Sequence, residues 1–518
     1  MFAIRAAFLA AFFQICLTAA SWAQDVTLTS RDGSVEISGS LAGYDGEFYR
    51  VSTAYGILTV DGSGVLCEGP GCPDLSNFVA QVRISGSQAP GQSLMPRLLD
   101  AFARNSGYEI ARQIDDDARF TYVLKEGQEG RDVARFTFDL ANSGEGFADL
   151  IADEADATLS VREIDDKEYQ RGTDAGLGDL RDSRQARVIA LDALVPVVSY
   201  KNAIRAISPT NLYDVFAGKI TNWNVLGGAD APIDLHLASV DRGLAQMFLA
   251  NIAGGGGSLA KDIRRHQSVR ELVDVVSDDP FAIGIATKSE LGNAKPLTLA
   301  GSCGFLSTAR SDSLKTEDYP LTAPVFLYLP PRRQPKVMRE FLRFTTTPAA
   351  QVAILQAGLS DQALSEIPMA LQGDRLMNAI QSAGEDIVLG DLQAMVKSLE
   401  GARRLTVGFR FKDGSADLDA QSRSNVALVA RGLEAGNFDE RQIIFVGFSD
   451  GVGPAPANSR LSRERATSVR DAVMREAATV DLARLSIKVL GFGEAMPMAC
   501  DDTDWGRQVN RRVEVWVR

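Results

Sequence analysis

Near the C-terminus, Gln442-Ile443-Ile444-Phe445-Val446 is a run that suits a buried strand, and Gly447 to Pro456 follows it as a loop of turn-forming residues. Leu461, Ala466, Val469 and Val473 then recur at helical spacing, with Asn458 or Ser459 placed to cap that helix. Strand, loop and helix in this order commit the region to a packed α/β unit. Asp450 falls just beyond the strand end, and Arg465 about two turns inside the helix. A carboxylate and a guanidinium facing one cleft suit a zwitterion, because charge-assisted hydrogen bonds select both of its ends. The competing reading is that Asp450 and Arg465 form only a structural salt bridge.

Further residues extend the pattern. Arg404 to Phe411 reads as a first strand, Gly414-Ser415-Ala416-Asp417-Leu418 opens a helix striped by Val426, Val429, Ala430 and Leu433, and Asn510-Arg511-Arg512-Val513-Glu514 enters a final strand. Residues 404–518 resemble the OmpA-like peptidoglycan-binding family. The resemblance implies a βαβαβ sandwich that binds peptidoglycan through Ser449, Asp450, Asn458, Leu461, Arg465 and Arg512, with the Asp and Arg gripping the diaminopimelate of the stem peptide. Where the family has Gly-His-Thr-Asp, this chain has Gly447-Phe448-Ser449-Asp450, which keeps a hydroxyl and loses an imidazole. The alternative for Asn510, Arg511 and Arg512 is a solvated strand start.

The other terminus fits an envelope protein. Arg5 precedes the apolar run Ala6 to Leu17, and Ser21-Trp22-Ala23 supplies small residues for signal-peptidase cleavage before Gln24. The run is too short to span a bilayer, and Phe13-Gln14-Ile15 before Cys16 is a poor lipidation signal. The expectation is export to the periplasm, with association to the cell wall or outer membrane. A formal charge of −13, one unit more negative once Arg5 is removed, excludes a nucleic-acid partner. Cys67 and Cys72 flank a short loop that suits a local disulfide in an oxidising compartment. For Cys303 and Cys500 spacing leaves pairing open, and their places in different domains favour the free state.

Expected domains are a signal peptide (1–23), a small β module (24–82), a two-lobed α/β domain (83–371), a helical linker (372–403) and the C-terminal sandwich (404–518). The β module follows from strand-like runs at Val26–Leu28, Val35–Ile37 and Ile57–Val60, divided by Asp-Gly turns; a docking or spacer role is the simplest reading. In the middle, Ile84-Ser85-Gly86-Ser87 precedes an amphipathic helix over Leu94 to Ala103. Ala155 to Arg162, Leu191 to Val198, Leu212 to Trp223 and Asp279 to Gly284 continue an alternation of buried strands and helices.

Those landmarks resemble the periplasmic phosphate-binding proteins that deliver phosphate to ABC transporters. The resemblance implies two lobes closing on phosphate or a related oxyanion, and leaves an ABC permease open as a further partner. Ser87 and Gln88 stand where a strand ends and a helix aims its N–H groups at an anion. The second lobe's Ser-Gly-Thr turn appears here as Asp241-Arg242-Gly243-Leu244, and the family's Ser-Arg pair as Val161-Arg162, so three hydroxyls are missing. Arg162, Arg242 and Gly243 complete the expected oxyanion site; alternatively Arg242 only pairs with Asp241 on a solvated loop.

Other patterns carry little. Gly254-Gly255-Gly256-Gly257-Ser258 lacks the Lys of a phosphate loop, Asp115-Asp116-Asp117 lacks the ligand spacing of a calcium loop, and His236 and His266 have no partners at zinc-site spacing. No cofactor, metal or catalytic activity is expected. The reading is an α/β multi-domain binding protein anchored to the wall; the alternative is a structural envelope protein whose lobes serve as a ligand-free scaffold.

Overall fold

A computed structural model of the chain describes residues 25–75, 77–127, 130–238, 248, 258–383, 387–411 and 417–518. The expected export leader, Arg242, Gly243, the glycines 254–257 and the expected helix opening at 414–416 lie outside the described residues. Among the described residues no helix is long and apolar enough to cross a membrane.

At the N-terminus, strands β1 (Val26–Ser30), β2 (Glu36–Tyr44), β3 (Phe48–Thr53), β4 (Gly56–Asp61) and β5 (Val65–Glu68) form an antiparallel sheet in the order β4-β3-β2-β1-β5. Its core is little more than Val26, Leu28, Tyr49 and Val51. A core so small gains from a cross-link; Cys67 and Cys72 are joined, their Cα atoms 5.9 Å apart. The sheet docks on the first lobe, where Arg333 reaches Asp45 (2.9 Å) and Glu47 (2.7 Å) while Arg339 contacts the same two carboxylates.

The middle of the chain folds into two lobes with separate cores. One is built on Leu98, Phe102, Phe136 and Phe341, the other on Val197, Leu212, Trp223 and Leu272. A single mixed sheet runs through both. The long strand Ala186–Val198 pairs with Thr322–Tyr328 beside the first lobe and with Ala282–Thr287 inside the second, so these two strands are the crossing between lobes. In the first lobe Ala80–Ser87 lies parallel to both Asp132–Ala141 and Ala157–Ser160.

In the C-terminal domain the strands order Glu366–Pro368, Arg403–Arg410, Arg512–Val517, Gln442–Phe448, Ser486–Gly491. Helices Ala420–Glu434 and Ala455–Glu476 bury Val429, Leu433, Ala466, Val469 and Val473 on one face. Two helices of the expected linker cover the other. Helices Gly373–Ser382 and Leu389–Ser398 lay Ala379, Leu392 and Met395 against Ile444, Phe448 and Trp516. That corrects the linker reading: a strand apolar on both faces, as Ile443 to Phe448 is, needs two covering layers.

The thiols of Cys303 and Cys500 are corrected too. They form a disulfide with Cα atoms 5.7 Å apart, because the turn at Gly301–Gly304 sits on the loop that precedes the Asp504–Asn510 helix.

Candidate functional sites

Strand Gln442–Phe448 ends in a loop that gathers several polar and charged side chains. Ser449 is buried, its amide bonded to the Gly493 carbonyl at 2.8 Å and its Oγ without a hydrogen-bond partner. Asp450 follows, and its Oδ2 accepts from Arg511 Nη1 at 2.8 Å. Arg465 lies ten residues into the Ala455–Glu476 helix, deeper than expected, because the helix starts behind Pro454; Asn458 is inside its first turn and does not cap it. The Arg465 guanidinium sits 5.3 Å from the Phe411 ring, and its Nη1 is buried without a hydrogen-bond partner. Burial, with Arg511 nearby and against the pull of Asp450, lowers its pKa. Asp450, Arg465 and Arg511 therefore share one electrostatic neighbourhood. Asn458 donates to the Gly453 carbonyl (3.3 Å) and to Glu494 (3.2 Å), holding the loop against the Gly493 turn, and Leu461 is partly exposed alongside.

Arg512 does not belong to this grouping. The pleat turns it to the opposite side of the strand, where it is 1% exposed, bonds Glu514 at 2.7 Å and the Met496 carbonyl at 2.8 Å, and lies 4.2 Å over the Phe448 ring. Phe448, which replaces the family's imidazole, is thus a platform for a buried cation. Arg375, Arg404 and Arg512 all meet Glu514, while Arg404 and Arg410 meet Asp318 of the second lobe. Burial opposes the charge on Asp318, but Arg404 and its neighbours hold its pKa down at about 2. Burial, Arg375 and Arg410 draw Arg512 down to about 9, against Glu514. The place expected of Arg512 beside Asp450 is taken by Arg511, which alternation along the strand would have separated from it.

In the first lobe two helix N-termini meet. Gly86, at φ +115°, lets the Ala80–Ser87 strand lie against Leu159, where a Cβ would overlap the Leu159 carbonyl. Ser87 then begins the Gln88–Ser106 helix, yet its hydroxyl does not cap that helix; it bonds the buried Ser143 hydroxyl, 2.8 Å away, at the start of helix Ser143–Ile151. Gln88 is the first helical residue and is half-buried. Arg162 is near but occupied. Its guanidinium makes a two-point pair with Glu168 (2.8 and 2.7 Å) and lies over Phe147. The hydroxyl missing at Val161 has a neighbour in Ser160, but that group bonds the Arg162 carbonyl at 2.7 Å.

Two histidines set aside from sequence do meet. His236 and His266, on adjacent parallel strands, are both buried and share a 2.8 Å Nδ1···Nε2 hydrogen bond. Spacing conceals such a pair because thirty positions separate them. Burial, reinforced by His266, lowers the pKa of His236 to about 4, so the ring is neutral at ordinary pH. Among the described residues no cluster suited to a metal ion occurs.

Two lobes about a pair of crossing strands, followed by a C-terminal α/β sandwich with a charged strand end, define a protein of two α/β parts. The PBP superfamily domain matches residues 78–349 and the OmpA family residues 410–511: the chain belongs to the PBP superfamily and carries an OmpA domain, and neither family is catalytic. The outer-membrane lipoprotein YfiB of Pseudomonas aeruginosa is 37% identical over 100 residues, covering 19% of this chain and 56% of that protein. The phosphate-binding protein PstS of Staphylococcus epidermidis is 22% identical over 231 residues, covering 42% of this chain and 68% of that protein. An ABC-type phosphate transport receptor from Vibrio cholerae has a similar structure, with TM-score 0.41, 18% identity and coverage of 54% of this chain and 99% of that one. Across the curated OmpA-type relatives the chain spans between 19 and 56% of their length.

Proposed function

We propose that this is a periplasmic binding protein whose lobes close on phosphate or a related oxyanion and whose C-terminal domain fastens it to peptidoglycan through the diaminopimelate stem peptide. The observation that carries the anchor is the grouping of Asp450, Arg465 and Arg511 at one strand end, with an Arg465 donor that lacks a protein acceptor. A zwitterion meets both needs: its ammonium faces the Asp450 carboxylate and its carboxylate accepts from Arg465. Unmet buried donors cost about 1–3 kcal/mol, so a ligand that satisfies one gains that much selectivity. Ser449, Asn458 and Leu461 stand beside the same strand end, and an export leader read from residues 1–23 would account for the compartment.

For the lobes, support comes from the Ser87 and Ser143 hydroxyls at two converging helix starts, and from relatives named for phosphate binding. Arg242 and Gly243 remain part of that proposal from sequence. A second reading, the ligand-free scaffold, is favoured by one feature: Glu168 already occupies Arg162. Titration calorimetry of the full chain with inorganic phosphate decides between them, since heat at micromolar phosphate supports the receptor and none at millimolar removes it. Retention on purified sacculi tests the anchor. Wild type should be held and Arg465→Ala and Asp450→Ala released; equal retention of all three removes the assignment.

A further inference from the structure

The C-terminal domain touches both lobes, and it does so on either side of the crossing strands. On the second lobe, the Cys303–Cys500 disulfide is joined by the Asp318 pairs to Arg404 (2.6 Å) and Arg410 (3.3 Å). Arg410 also donates to the Glu317 carbonyl at 2.9 Å, and Gly408 lies so close to Thr316 that a Cβ there would overlap its carbonyl. On the first lobe, Arg423 of the Ala420–Glu434 helix pairs with Glu163 at 2.5 Å and donates to the Arg181 carbonyl at 3.1 Å. Ala420 packs into the cluster of Phe147, Leu150, Ile164 and Tyr328.

The segment between the domains adds a third fastening. Ser360 exchanges backbone hydrogen bonds with Leu191 of the crossing strand, Asp361 pairs with Lys315 of the second lobe at 2.5 Å, and Glu366–Pro368 then joins the C-terminal sheet. An independent anchor on a tether would show none of these contacts.

We propose that the C-terminal domain is a strut fixed across the hinge, which holds the two lobes at one separation and couples their movement to the anchor domain. Hinge bending changes the distance between surfaces on the two lobes. A body fastened to both must stretch, slide or release one end when that distance changes. The first-lobe foot is the weaker one, because Arg423 and Glu163 are partly solvated, whereas the second-lobe foot is covalent and includes a buried charge cluster. Glu163 follows Arg162 directly, and Arg162 Nη1 donates to the Glu163 carbonyl at 3.1 Å. The foot thus presses on the residue next to the candidate oxyanion turn. By linkage, whatever biases the strut biases lobe separation, and the reverse.

This inference rests on the proposed reading only in taking the lobes to be movable; its test needs no ligand. Nitroxides on Lys167→Cys and Lys201→Cys, exposed positions on the first and second lobes, report the interlobe distance in the full chain by double electron–electron resonance. The parent should give one narrow distribution. Arg423→Glu, which sets a carboxylate against Glu163, should widen it about twofold, and adding Glu163→Arg should narrow it again by restoring the pair. Unchanged widths in a folded Arg423→Glu variant, judged by near-ultraviolet circular dichroism, overturn the strut. If that variant does not fold, Cys303→Ser with Cys500→Ser frees the other foot, and the same two outcomes apply. Wider distributions without phosphate heat keep the strut and remove the oxyanion reading; heat with unchanged widths does the opposite.

Discussion

Arg511 and Arg512 are neighbours in sequence and live in different worlds. Arg511 lies with Asp450 near Arg465, whose Nη1 has no hydrogen-bond partner; Arg512 faces the buried cluster with Glu514, Arg375 and Arg404, where the carboxylates are surrounded. The difference teaches that a charge's role here is set by which side of one strand it occupies. On the Asp450 side the pairing is a contact between Asp450 and Arg511. On the cluster side every cation needs its carboxylate, since loss of one partner strands the other in a low-dielectric interior.

Breaking the cluster should have the largest effect. Glu514→Ala leaves Arg375, Arg404 and Arg512 facing one another and is expected to lower unfolding stability by about 3–5 kcal/mol in urea denaturation, while Asp450→Ala changes it by less than about 1 kcal/mol. Equal losses would erase the distinction between the two sides. Next in size, Arg465→Ala should weaken binding of a soluble diaminopimelate-containing muropeptide by about 10- to 100-fold, the cost of about 1.5–3 kcal/mol for a charged hydrogen bond, with the melting temperature unmoved. Arg512→Ala should show the reverse pattern.

Acid separates the two regions further. The pKa of Asp318 is depressed from an ordinary 3.8 to about 2, so its contribution is complete above about pH 4 and is lost as pH falls through 2. Loss of about 2 kcal/mol is expected over that window, visible as weakened contact between the C-terminal domain and the second lobe in hydrogen exchange. Stability flat from pH 5 to pH 2 would contradict the cluster's role. The smallest effect extends the comparison to the first lobe: Glu168→Gln loosens the grip on Arg162 and should tighten phosphate binding about fivefold by calorimetry, whereas unchanged affinity would assign Arg162 to structure alone.

Much of the strand, loop and helix around Asp450 was legible because their signals are local. Gln442 to Val446 is apolar enough to be a strand under any neighbourhood, and the distance from Asp450 to Arg465 along strand, loop and helix is fixed by the geometry of those elements. Arg511 was hidden behind Arg512, because a motif read as a string does not say which residue the pleat turns outward. In the first lobe Ser87 was legible as a strand end, while Ser143 was not, since it comes from another helix fifty-six positions away. The N-terminal strands Phe48–Thr53 and Val65–Glu68 were missed for a related reason. Each is short and only half-buried, and it is pairing with β2 and β1 that makes them strands.

Composition and periodicity by themselves determined the kinds of element, the order of two α/β folds along the chain and the acidic character that turns it away from nucleic acid. Tertiary structure alone decided that helices Gly373–Ser382 and Leu389–Ser398 form a covering layer, that Cys303 finds Cys500 across 197 positions, and that the C-terminal domain lies across both lobes. The reason is physical. Hydrophobic period and turn chemistry act over a few residues, whereas ion pairs, disulfides and the covering of a two-faced sheet depend on surfaces that exist only after the elements have packed.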